Sequence, residues 1–221
     1  METARVTPGP ILVDPPSPAR LLEDRFREIV RTRGRCTVAL SGGSTPRALY
    51  PELRDLPWGQ LEFFFGDERA VSPEDPESNY RMAKETLFGA HPETRVHRME
   101  ADRADLDGAA RDYGRLLPEA LDVLLLGMGP DGHTASLFPG SPALDERERK
   151  VVAVVGPKPP PRRLTITPPV IQAAREIFIL VRGPDKAPAL RRAREGPWNP
   201  KETPAQLARR GTWIVDRAAL G

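Results

Sequence analysis

Cysteine is nearly absent. The chain has one, Cys36, so no intrachain disulfide forms. The three histidines, His91, His97 and His133, lack zinc-type spacing with each other or with Cys36, and no metal site is expected. Charge of one sign is not in excess: 33 basic residues face 31 acidic ones, for a net of +2. That balance, with only 6% aromatic residues, carries no electrostatic footprint for nucleic acid. No apolar run approaches the ~18 residues of a membrane span, and the N-terminal stretch has no long apolar core of a secretory signal. A cytoplasmic protein without membrane contact is the expectation. Gly-x-Ser-x-Gly is missing, which excludes the nucleophile-elbow hydrolases. Repeats and domain linkers are absent too, so residues 1–221 read as a single domain.

Proline and glycine are plentiful, with 26 and 18 residues. At about one residue in five they stay below the roughly 25–30% of low-complexity chains. Proline marks helix starts: Ser17-Pro18, Thr45-Pro46, Thr167-Pro168 and Thr203-Pro204 each read as a hydroxyl cap followed by the first helical residue. Thr203 with Gln206 fits a capping box. Gly156 to Pro161 reads as an extended loop.

Short apolar runs predict buried strands at Cys36–Leu40, Leu61–Phe65, Val123–Leu126, Val151–Val155 and Ile177–Val181. Between them lie amphipathic stretches. Leu21, Leu22, Phe26, Ile29 and Val30 share one helical face, and Leu106, Ala109, Ala110, Tyr113, Leu116 and Leu117 share another. Alternation of strand and helix predicts an α/β fold: an open, mostly parallel sheet with helices on both faces.

In such a sheet ligands bind beyond the carboxyl ends of the strands. Four segments there carry chemistry. Ser41-Gly42-Gly43-Ser44-Thr45-Pro46 runs from a strand into a helix and reads either as a tight turn or as a phosphate-binding loop; it lacks a Walker lysine and a third fingerprint glycine. Gly66-Asp67-Glu68-Arg69 reads as a charged loop past a strand, with Ser78-Asn79 capping the next helix. Gly127 to Gly140 alternates glycines up to Asp131-Gly132-His133; its histidine suits general-base work, or is structural. Arg162-Arg163-Leu164-Thr165 and Gly183-Pro184-Asp185-Lys186 offer a guanidinium fork and an ammonium point charge.

In their order, Ser41–Pro46, Gly66–Arg69, Ser78-Asn79, Gly127–Gly140, Arg163–Thr165 and Gly183–Ala187 resemble the 6-phosphogluconolactonases, within the group that also holds the glucosamine-6-phosphate deaminases. The resemblance spans about Val38 to Arg191. Arg69 stands where the deaminases usually have an aromatic residue. Ser136-Leu137-Phe138-Pro139 stands where they usually carry a ring-opening glutamate. Ile171-Gln172 departs from the Leu-Asn common in the lactonases, which is expected to affect packing or the helix start only.

The resemblance implies a NagB-like, Rossmann-type fold and hydrolysis of a phosphosugar lactone, 6-phospho-D-glucono-1,5-lactone, with no cofactor. It implies a phosphate seat of Ser41, Gly42, Gly43, Ser44, Thr45, Arg163 and Lys186. It implies His133 as base, oriented by Asp131 or Asp67. Arg69, or loop amides between Gly127 and Gly132, would stabilise the oxyanion, and Gly129 would line the substrate site. A monomer or weak oligomer is expected. A deaminase and a non-enzymatic phosphosugar sensor are the alternatives.

Overall fold

The apolar runs become the strands of a parallel sheet in a computed structural model that describes residues 7–221. Its strands are β1 (Ile11–Val13), β2 (Cys36–Leu40), β3 (Leu61–Phe65), β5 (Arg95–Val96), β6 (Val123–Gly127), β9 (Glu176–Val181) and β10 (Thr212–Val215). The order across the sheet is β1-β10-β9-β6-β2-β3-β5, and every neighbouring pair is parallel. All five residues of β2 are buried. Burial on both faces is what a continuous apolar run demands, and each fully buried large side chain contributes about 1.5–3 kcal/mol.

Helix α1 (Pro18–Arg33) starts as its sequence predicts: the Ser17 hydroxyl accepts the Arg20 amide at 3.1 Å and Pro18 opens the first turn. It buries Leu22, Phe26 and Ile29, with Leu21 and Val30 partly covered. Helix α4 (Leu106–Leu116) buries Leu106, Ala109, Ala110 and Tyr113. Leu116 does not join this face and is 55% exposed, because the helix ends there and the chain turns Leu117 inward instead.

Three expectations are corrected. Val151–Val155 is a strand, β7, but not in the parallel sheet. It forms a second, antiparallel sheet with β4 (Asp67–Arg69) and β8 (Arg162–Ile166), in the order β4-β8-β7. Only its first half is buried, and Val155 is 77% exposed. An apolar run reports burial, not the partner strand. Second, the charged stretch after Gly66 is β4 itself, pairing Asp67 with Thr165 and Arg69 with Arg163. Third, the other hydroxyl–proline pairs do not cap. Helix α2 (Ser44–Leu49) begins before Thr45. The Thr167 hydroxyl donates to the carbonyls of Arg149 and Lys150 ahead of α5 (Pro168–Ala173). Thr203 makes no side-chain cap, and Gln206 bonds Asn199, Arg192 and Pro197 instead of closing a capping box. Gly156–Pro161 forms the β7–β8 connection, its ends joined by the Gly156 amide and the Pro161 carbonyl at 2.7 Å. Ile171 is fully buried in α5 while Gln172 is exposed, a packing position as expected. Among the described residues no helix is long and apolar enough to cross a membrane.

Candidate active site

The chain leaves β2 for β3 and β5 on one side, then returns to β6 on the other. Strand order reverses between β2 and β6, and an open α/β sheet leaves its binding crevice at that point. The loops after the two strands lie side by side, with the Gly127 amide donating to the Ser41 hydroxyl at 3.2 Å. The second sheet walls the crevice with Asp67, Arg69 and Arg163, and Lys186 closes it from beyond β9. The result is a cleft of about 240 Å³. Every expected site residue lines it except Asp131, which stands behind His133.

His133 Nδ1 lies 2.6 Å from Asp131 Oδ1. Burial works to raise the Asp131 pKa, but the hydrogen bond and charge of His133 overcome it and bring the value down to about 2. An ionised carboxylate only accepts, so Nδ1 carries the proton of this bond and Nε2 is the free nitrogen. Among the described residues Nε2 has no hydrogen-bond partner. Gly129 makes the pair possible. A Cβ there would sit 2.1 Å from Nδ1 and Cε1 of His133 and 2.6 Å from Asp131 Oδ1.

Asp67 does not bond His133. Its Oδ2 accepts the Ser136 hydroxyl at 2.5 Å and its Oδ1 the Asn79 amide at 3.1 Å. Of the two carboxylates left open by the sequence, the geometry pairs Asp131 with the imidazole. Asn79 reaches Asp67 because Glu68 holds the start of helix α3 (Asn79–Ala83). Burial raises the Glu68 pKa, and four donors oppose it: the amides of Tyr80, Asn79 and Arg69 and the Ser78 hydroxyl. All four bonds end on its two carboxyl oxygens, so Glu68 anchors the helix start that the Ser78 hydroxyl caps by accepting the Arg81 amide.

The cations differ in their partners. Arg163 is 6% exposed and donates to the carbonyls of Pro160 and Lys158 and to Ser136 Oγ. Burial lowers its pKa, yet an arginine stays charged. No carboxylate among the described residues lies within ion-pair distance of it. Lys186 pairs with Asp185 at 2.6 Å. Arg69 turns its guanidinium to the Glu77 carbonyl at 2.5 Å and carboxylate at 3.4 Å, leaving its Nε without a partner among the described residues.

The glycine loop is tighter than its sequence suggests. Gly43, at φ 101°, turns the chain into α2 and presents Ser44 and Thr45 to the cleft. Gly42 has Asn79 against it, at 1.9 Å from where a Cβ would be. Ser41 is not free for a ligand through its amide, which donates to the Tyr50 hydroxyl at 3.0 Å. Two polar lining residues were not among the expected site residues: Asn79, legible there only as part of a helix start, and Lys158, hidden in the proline run.

Residues 17–215 match the family described as glucosamine-6-phosphate isomerases/6-phosphogluconolactonase. A 6-phosphogluconolactonase of Mycobacterium tuberculosis is 41% identical over 213 residues, covering 86% of each chain. One from Streptomyces coelicolor is 40% identical over 215 residues, covering 85% of this chain and 82% of its own. The crystal structure of a 6-phosphogluconolactonase from Shewanella baltica superposes with a TM-score of 0.82 at 26% identity, covering 96% of this chain and 97% of that one. With its switch-point cleft and a family match over nearly its whole length, the chain belongs to the glucosamine-6-phosphate isomerase/6-phosphogluconolactonase family.

Proposed function

We propose that this chain is an enzyme that hydrolyses 6-phospho-D-glucono-1,5-lactone to 6-phospho-D-gluconate, the second step of the oxidative pentose phosphate pathway. One observation carries the reading: the cleft holds a histidine with a free Nε2 and a buried guanidinium with no carboxylate of the described residues within ion-pair distance. A base and an anion seat suit a substrate with a reactive carbonyl and a phosphate. Relatives at about 40% identity carry the lactonase name.

In this reading Arg163 receives the phosphate, with Lys186, Ser44 and Thr45 around it. Neutral His133 takes a proton through Nε2 as water attacks the C1 carbonyl. Asp131 holds the imidazole and balances the imidazolium that forms. Charge develops on the former carbonyl oxygen, where the loop amides near Gly129 or the Arg69 guanidinium stabilise it. The imidazolium then returns its proton to the ring oxygen as the C1–O bond breaks. Water is added across that bond and the histidine is regenerated.

The test is hydrolysis of lactone generated in situ, read against the spontaneous rate. Acceleration by the purified protein is expected. Spontaneous-rate hydrolysis, together with ammonia release from glucosamine 6-phosphate, would overturn the reading in favour of the deaminase.

A further inference from the structure

Phe138 has no part in the proton transfers above, yet it touches both ends of the site. Its ring centre lies 4.8 Å from that of the His133 imidazole, tilted by 41°. The Arg163 guanidinium carbon stands over the same ring, 5.6 Å from its centre. Gly156 closes a further side: a Cβ there would lie 2.7 Å from Phe138 Cε2 and 3.0 Å from Cζ. The ring is wedged between the base, the anion seat and the backbone of the proline-rich loop, and is 6% exposed.

The segment that carries the ring is stiff. Leu137 donates its amide to the Thr134 carbonyl at 3.0 Å, closing a turn. Ala135 within that turn sits at φ 48°, the left-handed region that a non-glycine residue enters only when its surroundings hold it. Ser136 ties the turn to Asp67 and Arg163. His133 and Phe138 are thus the two ends of one braced loop.

The need for such a brace follows from hydrogen-bond geometry. The Nδ1 bond to Asp131 fixes one point and one direction of the imidazole. It still permits small rotations about the Cα–Cβ and Cβ–Cγ bonds, and these move Nε2 away from an attacking water. A flat ring packed against the imidazole removes this freedom. Its π-face also lies beside the charge that forms when His133 takes the proton.

We infer that Phe138 is a positioning residue: wedged between Arg163 and His133, it couples the anion seat to the aim of the His133 Nε2. This rests on the lactonase reading. Wild-type turnover tests that reading, and the ratio of variant to wild type tests this one.

The experiment measures kcat, KM and melting temperature for Phe138→Leu and Gly156→Ala with lactone generated in situ. The first removes the flat ring. The second keeps the ring and drives it off its seat, and its added carbon also comes within 3.3 Å of the Arg163 Nε. Both are expected to lower kcat by about 10–100-fold, with KM little changed in Phe138→Leu, since misplacing a reacting group by an ångström costs on that order. Wild-type kcat in Phe138→Leu, with or without a lower melting temperature, would overturn the inference. So would a raised KM with kcat intact, which would assign the ring to the anion seat alone. Should Phe138→Leu fail to fold, Gly156→Ala decides by kcat alone, wild-type kcat overturning the inference.

Discussion

Asp131 holds His133 twice: its Oδ1 accepts the imidazole Nδ1 at 2.6 Å and the His133 backbone amide at 3.1 Å. The two residues are two positions apart in the chain, with only Gly132 between them, so a single carboxylate ties both the turn and the ring it carries. With Nδ1 committed, proton exchange with a ligand falls to Nε2.

His133→Ala should lower kcat by roughly 10²–10⁴-fold, the usual worth of a positioned general base, with little change in KM. Steady-state kinetics on the lactone check this. A variant with wild-type kcat would remove His133 from the base role.

Asp131→Asn should keep substrate binding and lose about 10²-fold or more in kcat, because a neutral amide no longer fixes the imidazole tautomer. The pH dependence has a definite sign. The folded Asp131 value lies below the ordinary 3.8, at about 2. Stabilisation from the pair is therefore fully present above about 3.8 and lost as pH falls through about 2. Acid titration of melting temperature should show this loss in the wild type and not in Asp131→Asn.

Gly129→Ala should mimic Asp131→Asn in kcat. The added carbon would meet both partners of the pair, and overpacking of this kind costs about 1–3 kcal/mol of stability. Kinetics and a thermal melt, taken together, would show both effects; an unperturbed kcat would mean that the loop yields without moving the imidazole.

Arg163→Ala and Lys186→Ala should both raise KM, and unequally. Arg163 is buried without a carboxylate partner among the described residues and also holds the Lys158 and Pro160 carbonyls. Its loss should raise KM by about 10–100-fold, as for a charge-assisted hydrogen bond of roughly 1.5–3 kcal/mol, and lower the melting temperature. Lys186 already has Asp185. Its removal should raise KM less and leave the melting temperature in place. Loss of kcat alone in either variant would overturn the anchor assignment.

Ser17→Ala tests the one proline-marked helix start that caps as its sequence predicts. It should cost about 1 kcal/mol, or roughly 2–4 °C in melting temperature for a chain of this size, without touching kcat.

Legibility followed locality. The strands Cys36–Leu40, Leu61–Phe65 and Val123–Gly127 were readable because burial on both faces writes a continuous apolar run. The Ser17-Pro18 cap was readable because it is settled within three residues. Thr203 and Gln206 carried the same local signal, yet Gln206 found three backbone partners elsewhere and abandoned the box. Val151–Val155 was apolar enough for the main sheet, but its partner strand was beyond the reach of any local pattern.

For the site, the sequence by itself determined the chemistry available: which loops follow strands, where glycine admits close approach, and which residues can accept a proton or hold an anion. Those properties belong to residue types and short spacings. Tertiary structure alone decided the pairings. It tied Asp67 to Ser136 and Asn79, leaving His133 to its near neighbour Asp131. It brought Lys158 and Asn79 to the cleft and left Arg163 without a described carboxylate partner. The reason is physical: a hydrogen bond or an ion pair is fixed within tenths of an ångström. Only the packed crossing of β2, β6 and the second sheet sets such distances between segments remote in the chain.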